Sequence, residues 1–229
     1  MKIVRNIIIF LFLTIITVVG VYIFQGYKIY NEAIAETSIS KKVENIRKNE
    51  NYTNIEDLPE MYKNAVIAVE DHRFYEHGAI DIISIGRAIY INIKEFDLVE
   101  GGSTITQQLA KNIYFTQEKK LLRKIAEIFM AFELEKELSK DEIFELYVNT
   151  SYFGDGYYNV KEASNGYFNK EPIQMNDYES TLLAGIPNAP SIYAPTKNPD
   201  LARQRQQQVI NKLVSFGYIT QEYAEEILM

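Results

Sequence analysis

From position 7 to position 24 the chain places no charged residue among its apolar ones: IIIFLFLTIITVVGVYIF. At about 1.5 Å of helical rise per residue this run nearly matches a hydrocarbon core of roughly 30 Å, so it predicts a transmembrane helix. A cleaved signal peptide fits less well, since its apolar region spans only about 7 to 15 residues. The A-x-A at 33–35 also lies too far downstream for a cleavage site. Lys2 and Arg5 sit on one flank and only Lys28 sits close on the other. That asymmetry predicts a cytoplasmic N-terminus, with residues 28–229 on the extracytoplasmic face of the cytoplasmic membrane. The expected organisation is a tail and anchor over 1–28, a membrane-proximal linker over 29–57 and a catalytic domain over 58–229.

Residues 29–57 are polar and weakly periodic, which reads as a short helix followed by a solvated spacer. From Pro59, which suits a first helical turn, apolar residues recur at helical spacing up to Gly78, a natural C-terminal stop. Residues 79–93 are apolar on more than one face, which fits either buried core or a surface that dips into lipid. Thr104 with Gln107, and Ser139 with Glu142, have the spacing of capping boxes, so helices start after each. KKLLRKIAEIFMAFELEKEL between them carries a continuous apolar stripe. TSYFGDGYYN is loop by its Gly, Asp and Asn content. Helical patterns return at 160–168, 177–186 and 199–217, and the proline-rich PNAPSIYAPTKNP predicts an extended connector. The absence of β-alternation makes the part outside the membrane one mainly α domain.

The chain has 229 residues and no cysteine, which excludes a disulfide framework and a thiolate metal site or nucleophile. A net charge of −7 argues against nucleic acid as a partner.

The stretch AVIAVEDHRFYEHGAID, residues 65–81, holds both histidines of the chain. Read as helix, it puts Glu70, Phe74 and His77 on one face, with Asp71 turned about 100° away. A carboxylate beside an aromatic at the rim of an apolar segment has a raised pKa, which suits a general acid or base; the plain alternative is a surface helix with scattered charges. His72 and His77 point too far apart for a metal site. The S-x-x-K at 38–41 lacks the companion motifs of penicillin-reactive enzymes. Arg123 and Glu127 are spaced for an intrahelical ion pair, yet Lys111 and Arg123 on neighbouring helices would equally suit a pyrophosphate.

In order, these segments resemble the peptidoglycan glycosyltransferases of glycosyltransferase family 51. The first motif, E-D-x-x-F-x-x-H-x-G, is matched through Glu70, Asp71, Phe74, His77 and Gly78. GGSTITQQLAKN, with Ser103, Thr104, Gln108, Lys111 and Asn112, matches the second. Arg123, Lys124 and Glu127 match R-K-x-x-E. KDEIFELYVN and LLAGIPNAPSIYAPTKNP, the latter with Arg205 and Val209, resemble the fourth and fifth. The chain departs at Asn159 and in YFNK, where glycines are usual, which puts loop geometry in question.

The resemblance implies a lysozyme-like helical lobe with a small membrane-proximal jaw within residues 79–102. It implies polymerisation of lipid II into β-1,4-linked glycan strands with release of polyprenyl pyrophosphate. Glu70 is then the general base of an inverting displacement. Glu127 is a second essential carboxylate that orients the pyrophosphate-binding groups or holds a divalent ion, Mg²⁺ or Mn²⁺. Asp71, Phe74, His77, Ser103, Thr104, Gln108, Lys111, Asn112, Arg123 and Lys124 are the expected substrate-binding residues, with His77 packing within the site or acting directly. Expected partners are lipid II, the growing strand, the membrane, penicillin-binding transpeptidases and proteins of the division or elongation machinery. A chain ending at Met229 reads as a monofunctional enzyme. A lytic transglycosylase or muramidase, and a non-catalytic lipid II-binding scaffold, are the competing readings.

Overall fold

The computed structural model of the protein describes residues 2–95, 101–115 and 120–229. Among the described residues it is built from helices, with no strand. In chain order these are α1 (Lys2–Glu36), α2 (Ile39–Arg47), α3 (Glu60–Glu70), α4 (Ile82–Glu95), α5 (Ile105–Tyr114) and α6 (Lys120–Glu137). They continue as α7 (Lys140–Val148), α8 (Val160–Phe168), α9 (Asp177–Gly185), α10 (Pro190–Tyr193), α11 (Pro199–Ser215) and α12 (Gln221–Leu228). The mainly α expectation holds.

Helix α1 is continuous for 35 residues and is long and apolar enough to cross a membrane. Its large apolar side chains from Ile7 to Phe24 are exposed. Beyond them the helix becomes part of the domain. Gly26 and Tyr30 are buried, and a Cβ on Gly26 would lie 2.4 Å from Ile125 Cγ2, so only glycine admits this approach to α6. Tyr27 and Tyr30 pack around Phe129, and the Tyr30 hydroxyl donates to Glu133 at 3.1 Å.

The reading of 29–57 as a solvated spacer is therefore corrected. Ile39 and Val43 of α2 join the main core, and Ser38, from the chance S-x-x-K, caps α2 by accepting the Lys41 N–H. Thr53 is tied to Asn149 at the end of α7: the Asn149 side chain accepts from Thr53 N–H at 2.9 Å and donates to Thr53 C=O at 2.8 Å. The Tyr52 hydroxyl donates to Glu145. Weak periodicity hid this segment because its few apolar side chains are spread over two helices and a loop.

The core proper runs through α3, α5, α7, α9 and α11. Tyr62, Leu109, Phe144, Tyr147, Leu183 and Val209 are all almost completely buried. Helix α3 packs on α9 and α11, and α5 packs on both α6 and α7. Both foreseen capping boxes are present, Thr104 with Gln107 and Ser139 with Glu142.

Other expectations fail for local reasons. The helix that starts after Pro59 ends at Glu70 rather than at Gly78, so Glu70, Phe74 and His77 do not share a helical face. The proline-rich connector is partly folded, with a 3₁₀ turn at Ile186–Asn188 and the short α10, because proline suits a first helical turn. Helix α12, capped by Thr220, was not foreseen.

The two asparagines in place of glycine fit their backbone. Asn159 caps α8 by accepting the Glu162 N–H at 2.8 Å, and Asn169 ends α8 at φ 55, a left-handed conformation that asparagine tolerates better than other non-glycine residues.

Within 79–102, helix α4 buries only Ala88 and exposes Ile82, Ile83, Ile89, Tyr90 and Ile93. Positions 96–100 of the expected jaw lie outside the described residues.

Substituting Asn149 by Ala strands both backbone groups of Thr53 in a buried setting, at about 1–3 kcal/mol each when unsatisfied. Denaturant titration of the detergent-solubilised chain should register a loss of about 2 kcal/mol or more. No measurable change would show that water replaces the side chain freely.

Candidate active site

The site begins where α3 stops. Asp71 departs from helical geometry at φ −161, and its carboxylate bridges two other segments. Asp71 Oδ2 accepts the Ile105 N–H at 3.1 Å at the start of α5, and Oδ1 lies 2.7 Å from His77 Nε2. His77 Nδ1 in turn meets the Gly78 carbonyl at 2.6 Å. Burial alone would lower the His77 pKa, but Asp71 and the Gly78 carbonyl outweigh it and hold the ring above the usual range. This clamp draws the N-terminus of α5 against the end of α3.

Glu70 is thereby aimed at α5. Gln108 Nε2 donates to Glu70 Oε2 at 2.7 Å, and Tyr147 donates to the other end of that amide at 3.4 Å. Glu70 Oε1 is buried with no hydrogen-bond partner among the described residues, and Arg205 Nη2 stands 4.0 Å away. Burial pushes the Glu70 carboxyl above the usual range, against the opposing pull of Gln108, Arg205 and Lys111, while Asp71 adds to the rise. Its place at the C-terminal end of a helix works in the same direction.

Two cavities meet at this carboxylate among the described residues. One, of about 370 Å³, is lined by Glu70, Ser103, Gln108, Lys111, Arg123, Lys124 and Glu127. Burial, assisted by Arg123 and Lys124, holds the Lys111 pKa below the usual lysine range. Lys124 Nζ donates to Ser103 Oγ at 2.7 Å and to Glu127 Oε2 at 3.0 Å. Arg123 Nε lies 3.1 Å from Glu127 Oε1, yet neither atom has a hydrogen-bond partner among the described residues. They attract as charges while the angle for a hydrogen bond is missed. The other cavity, of about 440 Å³, is lined by Asp71, His72, Arg87, Thr104, Arg205 and Lys212 among others. His72 stacks on Phe216 there, with centroids 4.2 Å apart.

The structure thus brings Glu70, Asp71, Ser103, Thr104, Gln108, Lys111, Arg123, Lys124 and Glu127 together. Three expected substrate-binding residues are not in either lining. Phe74 is completely buried in the core, where Lys140 covers its ring at 4.5 Å. His77 has a 6% exposed side chain committed to Asp71. Asn112 lies on α5 outside both cavities. Arg205 and Asn188 were missed as site residues, although both fall in the segment that resembles the fifth motif.

The residues at Glu127 do not fit a resident divalent ion. One carboxylate, each oxygen faced by a cation, leaves no oxygen-rich cage. Asp71, His77 and Asp81 do come close enough to ligate. Their oxygens, however, are already engaged by Ile105 N–H, Ser84 and Arg73, an arrangement that completes itself without metal.

The sequence profile of the transglycosylase family matches residues 36–214. Penicillin-binding protein 1F of Bacillus subtilis (strain 168) is 47% identical over 170 residues, covering 74% of this chain and 24% of that protein. Penicillin-binding protein 1A of Neisseria lactamica is 42% identical over 177 residues, covering 77% of this chain and 22% of that protein. The crystal structure of penicillin-binding protein 1A from Haemophilus influenzae superposes with a TM-score of 0.46 at 19% identity, over 77% of this chain and 17% of the other. The chain spans under a quarter of the length of these curated relatives.

The raised Glu70 pKa has a consequence for stability. At a pH below the usual glutamate range, folded and unfolded chains both hold the proton and Glu70→Gln should match the wild type. As pH rises the unfolded chain ionises first, so the wild type loses stability relative to the variant until folded Glu70 also ionises. Thermal denaturation should therefore show Glu70→Gln more stable at neutral pH, with the gap closing in acid. A variant less stable at neutral pH would mean that the site favours the carboxylate.

Proposed function

Because the chain belongs to the transglycosylase family, we propose that it is a peptidoglycan glycosyltransferase that polymerises lipid II into β-1,4-linked glycan. The observation that carries this reading is a buried carboxylate, Glu70, sharing one cavity with three cations, Lys111, Arg123 and Lys124.

Lipid II is a disaccharide-pentapeptide linked through pyrophosphate to a polyprenyl chain. Its transfer needs a base on the acceptor hydroxyl and fixed positive charge for the departing diphosphate. Glu70 Oε1 accepts no hydrogen bond among the described residues and is available to take the hydroxyl proton, while Gln108 fixes Oε2. As that proton leaves, the oxygen attacks the anomeric carbon from the face opposite the pyrophosphate, and the α-linkage becomes β. The bond to the phosphate oxygen breaks, and Lys111, Arg123 and Lys124 take up the charge that develops. Glu127 holds Arg123 and Lys124 in place before the phosphates arrive. No metal step enters this account.

A glycan-cleaving enzyme on a similar scaffold would release a sugar alcohol and would have no use for three clustered cations. A non-catalytic scaffold would not need a desolvated carboxylate beside them. The membrane arrangement follows the same reading: α1 crosses with its N-terminus in the cytoplasm, and the exposed apolar side chains of α4 meet the outer lipid surface.

Polymerisation of labelled lipid II in detergent should fall about 10²–10⁴-fold in Glu70→Gln, the usual contribution of a general base. Appearance of shortened glycan from preformed polymer, with lipid II untouched, would replace this reading with the lytic one. The acid limb of the pH–rate profile should lie above the usual glutamate range and move higher still in Gln108→Leu, which removes a hydrogen bond favouring the charged form. Lys111→Ala and Arg123→Ala should each cost about tenfold or more in use of the pyrophosphate-linked donor. Unchanged rates in both would remove the phosphate assignment.

A further inference from the structure

Both histidines of the chain lie in the turn that follows α3, and their partners set them apart. His72 Nε2 faces Arg87 Nη1 at 3.3 Å, and a guanidinium can only donate. That nitrogen of His72 therefore carries no proton, and burial together with the Arg87 charge holds the ring below the usual range. His77 meets the opposite arrangement. Its Nδ1 faces the Gly78 carbonyl at 2.6 Å and its Nε2 faces Asp71 Oδ1 at 2.7 Å, so both nitrogens meet accepting oxygens. A neutral imidazole has one N–H to offer, and one of these short contacts would then set lone pair against lone pair. Two protons satisfy both. The other Asp71 oxygen already accepts the Ile105 N–H, an arrangement made for a carboxylate, which places the second proton on the ring.

The surrounding charges leave this pair in place. An Asp81 oxygen lies within 4.8 Å, and Arg73 balances it at 3.1 Å. Lys140, at the start of α7, opposes a charge on the ring but is itself bonded to Glu135 at 2.7 Å. Glu70, the last residue of α3, adjoins Asp71, and α5 presents Thr104 and Ile105, neither of which titrates.

The ring is the joint of a larger staple. It ties Asp71, at the front of the turn, to Gly78 at its back. Both ends of that turn then hold the start of α5: Asp71 takes the Ile105 N–H at 3.1 Å, and the Ala79 carbonyl takes the Thr104 hydroxyl at 2.9 Å. Helix α5 in turn carries Gln108, which fixes Glu70, and Lys111, which lines the cationic cavity. We propose that His77 is a positioning residue that works as an imidazolium: its second proton holds the two ends of the turn on the start of α5, and loss of that proton at alkaline pH releases α5 from Glu70. The kinetic consequence rests on the activity proposed above, whereas the ionisation does not. Since folding favours the cation, its contribution is complete below the usual histidine range and is lost as pH rises through the higher folded value.

The test uses the full chain in detergent, purified without a histidine tag and carrying nitrogen-15 in its histidines, with His72→Gln to assign the two rings by NMR. At pH about 7.5, one unit above the usual histidine value, His77 should still show two protonated ring nitrogens while His72 shows one. A single proton on His77 at that pH overturns the proposal. The Ile105 amide should also exchange with solvent about tenfold faster or more, relative to the Ile143 amide in α7, once His77 has lost its proton. Unchanged relative exchange across that titration removes the positioning role and overturns the proposal too. Neither readout needs turnover, so both stand or fall apart from the proposed activity. In the kinetic arm, 2-fluorohistidine in place of His77, in the His72→Gln background, keeps the shape of the ring but binds its proton far less tightly. The alkaline limb of lipid II polymerisation should then move to lower pH, and it should stay in place in Lys111→Arg, which alters the other desolvated cation able to produce such a limb. A limb that ignores the fluorinated ring, or that moves with Lys111→Arg, overturns the assignment.

Discussion

The arrangement of the site depends on one carboxylate that does not itself face the cationic cavity. Asp71 uses one oxygen for the N-terminus of α5 and the other for His77, and both bonds form in a largely buried setting. A charge-assisted bond to a helix N-terminus gains from both the donor and the dipole. Geometrically it does three things at once. It ends α3 at Glu70, it folds residues 72–78 back on themselves, and it brings the face of α5 that carries Gln108 and Lys111 to within reach of Glu70. Thr104 Oγ1, donating to the Ala79 carbonyl at 2.9 Å, and Gln108, donating to Glu70, add to the same register, and Phe74 anchors the middle of the turn.

What is positioned in this way is electrostatically expensive. Glu70 is desolvated with one oxygen unpaired, Lys111 is largely desolvated, and Arg123 and Glu127 face each other with imperfect geometry. Groups held like this destabilise a resting fold, and the hydrophobic core of α3, α5, α7, α9 and α11 must offset them. The upward shift of Glu70 lies in the direction that lets a carboxylate take a proton nearer neutrality, while the downward shift of Lys111 marks the cost of desolvating its charge.

Much of this was legible in the residue order, and the reason is range. Thr104 with Gln107 and Ser139 with Glu142 announce helix starts because a capping box closes within one turn. The apolar run of α1 needs no partner to be recognised. The end of α3 at Glu70 was not legible, because local periodicity runs on to Gly78 and the bond that stops the helix comes from Ile105. Phe74 and His77 were assigned to substrate for the same reason: a motif names which residues matter and leaves open whether they touch the ligand or hold those that do. Arg205 reaches Glu70 only through the packing of α11 on α3; the resemblance to the fifth motif marks the residue but not that contact. Residues 29–57 looked like a spacer because Tyr30, Ile39 and Val43 are isolated in sequence and become a surface only once α6 is beside them.

That last point changes how the membrane helix should be understood. A tether needs only an apolar stretch and a flexible joint, and here no joint exists between the apolar run and the domain: α1 passes unbroken from Lys2 to Glu36. Its second half is bolted to the helix that carries Arg123, Lys124 and Glu127, with glycine at the closest approach and a tyrosine hydroxyl bonded to Glu133 beyond it. A rigid coupling of this kind converts the depth and tilt of one helix in the bilayer into the height and orientation of the cationic cavity above it. For the lipid-linked substrate proposed above, a small change of height would separate a diphosphate that meets Lys111, Arg123 and Lys124 from one that passes below them. The packing of α1 on α6 therefore belongs to the geometry of the site as much as to its anchorage.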